Sequence, residues 1–419
     1  MTARIVRADA IVPGDERPIR DGALVIDERG TIVEVGAAGE VLSGHRGAAV
    51  DEVKGVLLPG LVNAHVHVEL SALRGKVSGG HGFVPWVEQM LGLRASEHPE
   101  EESASIERAT EELDRFGTTA VGEVTNTLSA VHSLARHGIG GMIFHELFGL
   151  QSDRALARLS AMQADTAARE QTWPSADLAY SESPHTVYTT HPDAIRALLS
   201  AVRARGTRTT VHLAEHPAER TFLLHGTGAF LSFAARLGLP IERFPIPRKG
   251  PVEVAQDLGL LAPDVLLVHL TDVRAAELEL VVDSGASVVL CPRSNLFIEV
   301  KLPPLVEMLS AGLIPALGTD SLASNLSLDV LAEARALADR FPSVSKQRLI
   351  EMATTAGARA LGRPDLGRLA KGCRPGVLAV VGTLGASEDP CAWVLRQPAS
   401  ARKWIARRGR DHQPKGASA

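Results

Sequence analysis

Two histidines separated by one residue, His65 and His67, sit in the apolar run GLVNAHVHVEL. Alternate side chains of an extended chain share a face, so both imidazoles point one way while Val66 and Val68 point the other. Such a pair suits either two hydrogen-bonded core histidines or two ligands of one metal ion, and the triplet alone does not choose. Further imidazoles and carboxylates follow other short apolar stretches: His185 in SESPH, His212 and Glu215 in VHLAEH, His269 in LLVHL and Asp320 in ALGTD. Core histidines scattered by chance would not all fall at such ends. Three imidazoles and a carboxylate (His65, His67, His212 and Asp320) make a mixed donor set for one divalent metal ion per chain, Zn²⁺ first and Fe²⁺ second. That ion would lower the pKa of a bound water towards neutrality and supply hydroxide. Asp320 would touch the metal and take the water's proton. Glu215 would protonate a substrate ring nitrogen while hydroxide attacks the adjacent carbon, its plainer role being a cap on the following helix. His269 would hold the water or orient the developing tetrahedral centre, the plainer role being a bond to a backbone carbonyl.

Those side chains need a scaffold that gathers strand ends. From Gly60 onward eight short apolar strands can be counted, at 61–68, 118–124, 141–147, 177–185, 208–215, 264–270, 286–292 and 313–320. Helical stretches such as EESASIERATEELDRFG and DAIRALLSAVRARG lie between them and end near glycines. The alternation predicts an α/β fold, a (β/α)8 TIM barrel over 57–365 with its active site at the C-terminal strand ends. Residues 1–56 alternate apolar and polar between Gly and Pro turns, and LGRLAKGCRPGVLAVVGTL has the same texture. The two ends, 1–56 and 366–419, are therefore expected to pair into a small β-sandwich, with a solvated tail after Ala406. The segment from His216 to Pro263 is expected to form a lid or pocket wall.

Bulk composition narrows the partners. The 419 residues are 45% hydrophobic and 22% charged, as in a folded globular protein. A formal net charge of −5 gives no reason to expect nucleic acid or an anionic membrane. The N-terminus carries no signal-peptide block, and no apolar run is long enough to span a bilayer. Three cysteines without CxxC spacing fit a cytoplasmic setting and argue against a thiolate zinc site. No HExxH, GxSxG, P-loop or GxGxxG occurs. Pro390-Cys391 lacks the second cysteine that the cytidine-type zinc deaminases require.

LPGLVNAHVHVE, VHLAEHPAE, LLVHL, CPRSNLFI and ALGTDSLASN occur in that order between about Val56 and Gly362. Together they resemble the amidohydrolase superfamily, and within it the cytosine/adenosine deaminase and chlorohydrolase (triazine-hydrolase-like) branch. The resemblance implies a distorted (β/α)8 barrel with a composite β-sandwich from both chain ends. It also implies one metal on His65, His67, His212 and Asp320, with Glu215 and His269 shuttling protons. The bridging lysine of two-metal members is absent from AYSESPHTVYTT, which points to a single ion. HVELSALRGKVSGGHGFVPWVEQML, TTAVGEVTNT and SPHTVYTTHPD are similar to the aminofutalosine deaminase-like group. That similarity implies a pocket lined by Glu69, Arg74, Trp86, Glu146 and His185. Trp86 could equally be packing, and Arg74 with Glu146 a surface ion pair. The chain departs from the family where Pro375-Gly376 replaces an Ala-Asp pair before the last apolar strand.

The expected activity is hydrolytic deamination of an amino-substituted heteroaromatic ring, with release of ammonia. An adenine nucleoside such as aminodeoxyfutalosine stands first. A chlorohydrolase or other C–N hydrolase acting on a triazine-, guanine- or cytosine-like ring is the second reading, and a non-catalytic scaffold the third. The partner is a small heteroaromatic molecule, with a homodimer left open.

Overall fold

The computed structural model describes residues 4–165, 169 and 172–408, so the tail expected in solvent lies outside the described residues from 409 onward. Alternating patterns near the N-terminus become strands β1 (Arg4–Ile11), β2 (Ile19–Ile26), β3 (Ile32–Ala37) and β4 (Val50–Pro59). The short apolar runs become β5 (Leu61–His67), β6 (Thr118–Thr125), β7 (Gly140–Leu147), β8 (Leu178–Pro184), β9 (Thr209–Leu213), β10 (Val265–His269) and β11 (Ser287–Leu290). The expected eighth strand is broken into β12 (Ala316–Leu317) and β13 (Asp320–Ser321), and β14 (Val377–Val381) and β15 (Arg402–Ala406) follow.

Two parallel sheets carry the middle of the chain, ordered β13-β5-β6-β7-β8 and β12-β11-β10-β9. Helices separate their strands, so the fold is α/β. Strands β5, β6 and β7 are buried at every residue, which is why they read as near-continuous apolar runs. The sheets meet at two seams. At one, Thr186 bridges His212 in parallel and the His212 N–H donates to the His185 carbonyl at 3.1 Å. At the other, Gly318 N–H donates to Leu290 O and Thr319 N–H to His65 O, so the chain crosses from β12 beside β11 to β13 beside β5. A Cβ on Gly318 would lie 2.7 Å from the Cβ and carbonyl oxygen of His65, so only glycine permits this approach. That crossing breaks the eighth strand and points Asp320 at the histidines.

Both chain ends enter one six-stranded sheet, ordered β15-β14-β4-β1-β2-β3. The departure at Pro375-Gly376 does not prevent pairing: β14 begins one residue later and runs antiparallel to β4 from Val377↔Pro59. Gly376 takes φ +74°, and a Cβ there would lie 2.9 Å from the Trp404 ring. β4 and β5 are separated only by Gly60, so the end sheet leads directly into the first histidine-bearing strand.

Candidate functional site

Side chains at the C-terminal ends of the parallel strands converge on a cavity of about 530 Å³. The backbone turns sharply there. Ala214, His269, Leu270 and Asp320 adopt φ between +49° and +77° although none is glycine. A left-handed residue of this kind costs roughly 1–3 kcal/mol, and such strain clusters at functional sites.

His65, His67 and His212 each offer a ring nitrogen within 4.8 Å of the others, and all three are buried. The Nε2 atoms of His67 and His212 are 3.3 Å apart. Asp320 Oδ1 lies 3.7 Å from His65 Nε2 and 3.6 Å from His67 Nε2. Burial, followed by the charge of His65, lowers the His67 pKa to about 4, and burial holds His212 well below its usual value. Both imidazoles are thus neutral. His212 Nδ1 donates to the His185 carbonyl at 2.9 Å, which leaves the Nε2 lone pair facing His67. Neither nitrogen of His65 has a hydrogen-bond partner among the described residues, although the residue is 0% exposed. Lone pairs converging in a buried space repel unless a cation sits between them, so the donor set fits one divalent ion. Burial alone would raise the Asp320 pKa, but the surrounding imidazoles, His65 and His67 nearest, hold it well below the carboxylate range. The Ser294 and Ser324 hydroxyls lie 2.5 and 3.1 Å from Oδ2, leaving Oδ1 for the histidines.

Glu215 and His269 face each other across this cluster, with Oε1 3.6 Å from Nε2. The helix Pro217–His225 is capped by His216 Nδ1, which accepts from Glu219 N–H, so the Glu215 carboxyl does not cap it and lines the cavity. Burial, reinforced by the Asp320 charge, pushes the Glu215 pKa well above its usual value. The group is a carboxylic acid with a proton to give. His269 Nδ1 meets the Asn295 amide nitrogen at 3.2 Å rather than a backbone carbonyl.

Among the residues that the resemblance suggests for substrate, Glu69, Trp86, Glu146 and His185 line the cavity. Trp86 donates its indole N–H to Ala323 O at 3.2 Å. His185 Nδ1 pairs with the Thr189 hydroxyl at 2.7 Å. Glu146 receives Asn126 Nδ2 on Oε2 at 3.1 Å, and its buried Oε1, 3.6 Å from His212 Nδ1, has no hydrogen-bond partner among the described residues. Burial and the Glu69 charge raise its pKa to about 8.

Arg74 is a correction. It leaves the short helical turn Val68–Leu73 on the outer side and pairs with Glu112 at 2.6 Å, in a separate polar depression. The basic group beside Glu69 in the cavity is Arg94, paired with it at 2.9 Å. Glu69 is itself fixed by the Thr125 and Thr127 hydroxyls, each at 2.7 Å. Arg94 escaped sequence reasoning although it stands four and eight residues after Met90 and Trp86 on the helix Phe83–Arg94, a spacing that shares one face. Asn126, Asn295, Arg154 and Arg158 were also missed. The segment after His216 does form a wall, through Phe230, Phe233, Leu237 and Leu239.

A buried triad of imidazoles with a facing carboxylate, beside a carboxylic acid, at the strand ends of an α/β fold defines a hydrolase built around a metal-ligating centre. Residues 56–391 match the amidohydrolase family, and the chain belongs to it, as a hydrolase of carbon–nitrogen bonds. A 5-methylthioadenosine/S-adenosylhomocysteine deaminase of Halobacterium salinarum is 30% identical over 375 residues, 87% of this chain and 80% of the relative. The aminodeoxyfutalosine deaminase of Deinococcus radiodurans is 27% identical over 352 residues, 81% of each chain. The crystal structure of Helicobacter pylori aminofutalosine deaminase with methylthio-coformycin superposes at a TM-score of 0.83. It is 22% identical and covers 96% of this chain and 100% of that one, a likeness of fold.

Proposed function

We propose that the protein is a metal-dependent deaminase of an adenine nucleoside whose 5′ substituent carries a carboxylate. One observation carries the reading: a single cavity joins the histidine–carboxylate cluster, Glu215 and His269 to two arginines, Arg154 and Arg158, on the helix Ser152–Ala164. Among the described residues neither arginine has a carboxylate partner in ion-pair range. The aromatic side chains of Trp86, Phe230 and Phe233 and the aliphatic ones of Leu237 and Leu239 lie along the same cavity, as a purine and its sugar require. Aminodeoxyfutalosine and S-adenosylhomocysteine are the substrates named for relatives that suit this plan, while methylthioadenosine offers the arginines no anion.

In this reading His65, His67, His212 and Asp320 hold one divalent ion, with zinc favoured by the imidazole-rich set. When bound, the ion supplies Lewis acidity and activates water at neutral pH. Asp320 accepts the proton of the attacking water. Glu215 delivers its proton to the ring nitrogen next to the reacting carbon, so that carbon gains the oxygen as the ring takes the proton. As the tetrahedral carbon collapses to a carbonyl, its hydroxyl proton returns to Glu215, and the proton taken up by Asp320 passes to the amino group, which leaves as ammonia. His269 donates a hydrogen bond towards the new oxygen, and Glu146 with its free Oε1 receives a substrate hydroxyl or N–H.

We further infer that the eight parallel strands close into the distorted (β/α)8 barrel, the seams at Thr186–His212 and Gly318–Thr319 completing the ring. The end sheet is a unit of its own beside it, formed by the described residues of 1–56 and 366–419. The buried, unpaired thiols Cys291, Cys373 and Cys391 suit a cytoplasmic location.

The test is ammonia release across aminodeoxyfutalosine, S-adenosylhomocysteine, methylthioadenosine, adenosine, guanine, cytosine and an amino-triazine, with metal analysis on the same sample. Release from a carboxylate-bearing adenine nucleoside, with about one metal per chain, is expected. Preference for methylthioadenosine would remove the anion subsite, and release from the triazine alone would remove the nucleoside.

A further inference from the structure

We propose that Asn295 is a positioning residue that sets the tautomer of His269, so that Nε2 carries the imidazole proton into the site; the inference rests on the deaminase reading above. Asn295 and His269 are each 1% exposed. The Asn295 amide nitrogen lies 3.2 Å from His269 Nδ1. An amide NH2 donates, so Nδ1 is an acceptor and the proton of a neutral ring belongs on Nε2. The far side of the ring accommodates the same arrangement. Nε2 faces Glu215 Oε1 at 3.6 Å. An Nε2–H has this carboxyl oxygen to turn towards.

The scaffold holds this arrangement rigidly. Asn295 stands on the first turn of the helix Pro292–Ile298, its backbone N–H bonded to Cys291 O at 3.0 Å. The preceding residue, Ser294, donates to Asp320 Oδ2 at 2.5 Å. One helical turn thus orients both groups that handle protons and gives them opposite duties. His269 can only donate, and Asp320 is left as the acceptor of the water's proton. The Asn295 carbonyl oxygen is buried without a partner among the described residues, so the amide is retained for its donor end.

The decisive variant is Asn295→Asp in the zinc-loaded full chain. A carboxylate of the same shape accepts instead of donating, which moves the ring proton to Nδ1 and leaves a lone pair on Nε2. Histidine 15N NMR, with the His269 signal assigned by its loss in His269→Gln, should report Nε2–H in the parent and Nδ1–H in the variant. kcat should fall on the order of 10²-fold while KM stays within about threefold. Asn295→Ala, which removes the donor without adding an acceptor, should give mixed tautomers and a smaller loss. A parent ring protonated at Nδ1 overturns the proposal, as does an Asn295→Asp enzyme with unchanged tautomer and rate. Should Asn295→Asp not fold, a pure Nε2–H ring and parental kcat in Asn295→Ala overturn it equally. The NMR readout needs no substrate, so failure of the deaminase reading would show separately, as silence of the parent in the ammonia assay.

Discussion

A buried imidazole with both nitrogens unbonded, as His65 has, is hard to reconcile with a core role. The cost disappears once a cation shares the space with His67 and His212, and so His65 is the residue that separates metal ligand from packing. Glu215 is informative for the opposite reason: burial keeps its proton on, where a solvated glutamate would have lost it. Glu215→Gln keeps the shape and removes the transferable proton. It should bind metal as the parent does and lose roughly 10²–10⁴-fold in kcat, checked by metal analysis and steady-state ammonia release. A parental rate would take Glu215 out of the mechanism.

At the scale of elements, two helices and a turn decide what the strand ends can do. Arg154 and Arg158 stand one turn apart on the helix Ser152–Ala164, so both face the cavity together. They are exposed, and pairs of that kind contribute about 0.2–1 kcal/mol each. Replacing both with Ala should raise KM for a carboxylate-bearing nucleoside by about fivefold to tenfold while leaving methylthioadenosine unchanged, read from paired KM values. The turn that presents Glu215 is held by Glu219, whose carboxyl accepts the backbone N–H groups of Ala214 and Glu215 at 3.1 and 2.9 Å. Burial raises the Glu219 pKa from 4.5 to about 8, so the folded chain binds this proton more tightly than the unfolded chain. Its contribution to stability is full below about pH 4.5 and is lost as pH rises through about 8. Glu219→Gln does not titrate, so urea unfolding at pH 5 and pH 8 should differ less in the variant than in the parent.

Across the whole molecule, the end sheet and the α/β body are locked by Arg402 on β15. Its guanidinium meets Asp329 at 2.6 and 3.0 Å and the Phe116 carbonyl at 3.0 Å, and its side chain is 1% exposed. Asp329 also caps the helix Val330–Arg340 and binds Arg335, so one carboxylate ties two layers together. Breaking a buried pair from one side leaves an uncompensated charge. Arg402→Ala should therefore lose about 3–5 kcal/mol, seen as a lower denaturant midpoint, and Asp329→Asn in the same background should cost little more.

Much of this was legible in the chain because it is encoded locally. Side-chain alternation along β5 put His65 and His67 on one face, and apolar runs bounded by turns marked the strand ends where His212, His269 and Asp320 stand. Residue type then supplied the chemistry, since imidazoles and carboxylates that meet can do little else. Direction was not encoded locally. Whether Arg74 or Arg94 enters the cavity depends on how the turn Val68–Leu73 leaves β5 and how the helix Phe83–Arg94 lies over it, both set by packing between distant segments. The same holds for the eighth strand, which breaks because Gly318 must pass against His65, and for Asn295, whose hold on His269 joins the helix Pro292–Ile298 to the end of β10. Spacing determined which groups stand at the rim. Only long-range packing decided which way each one points and which partner holds it there.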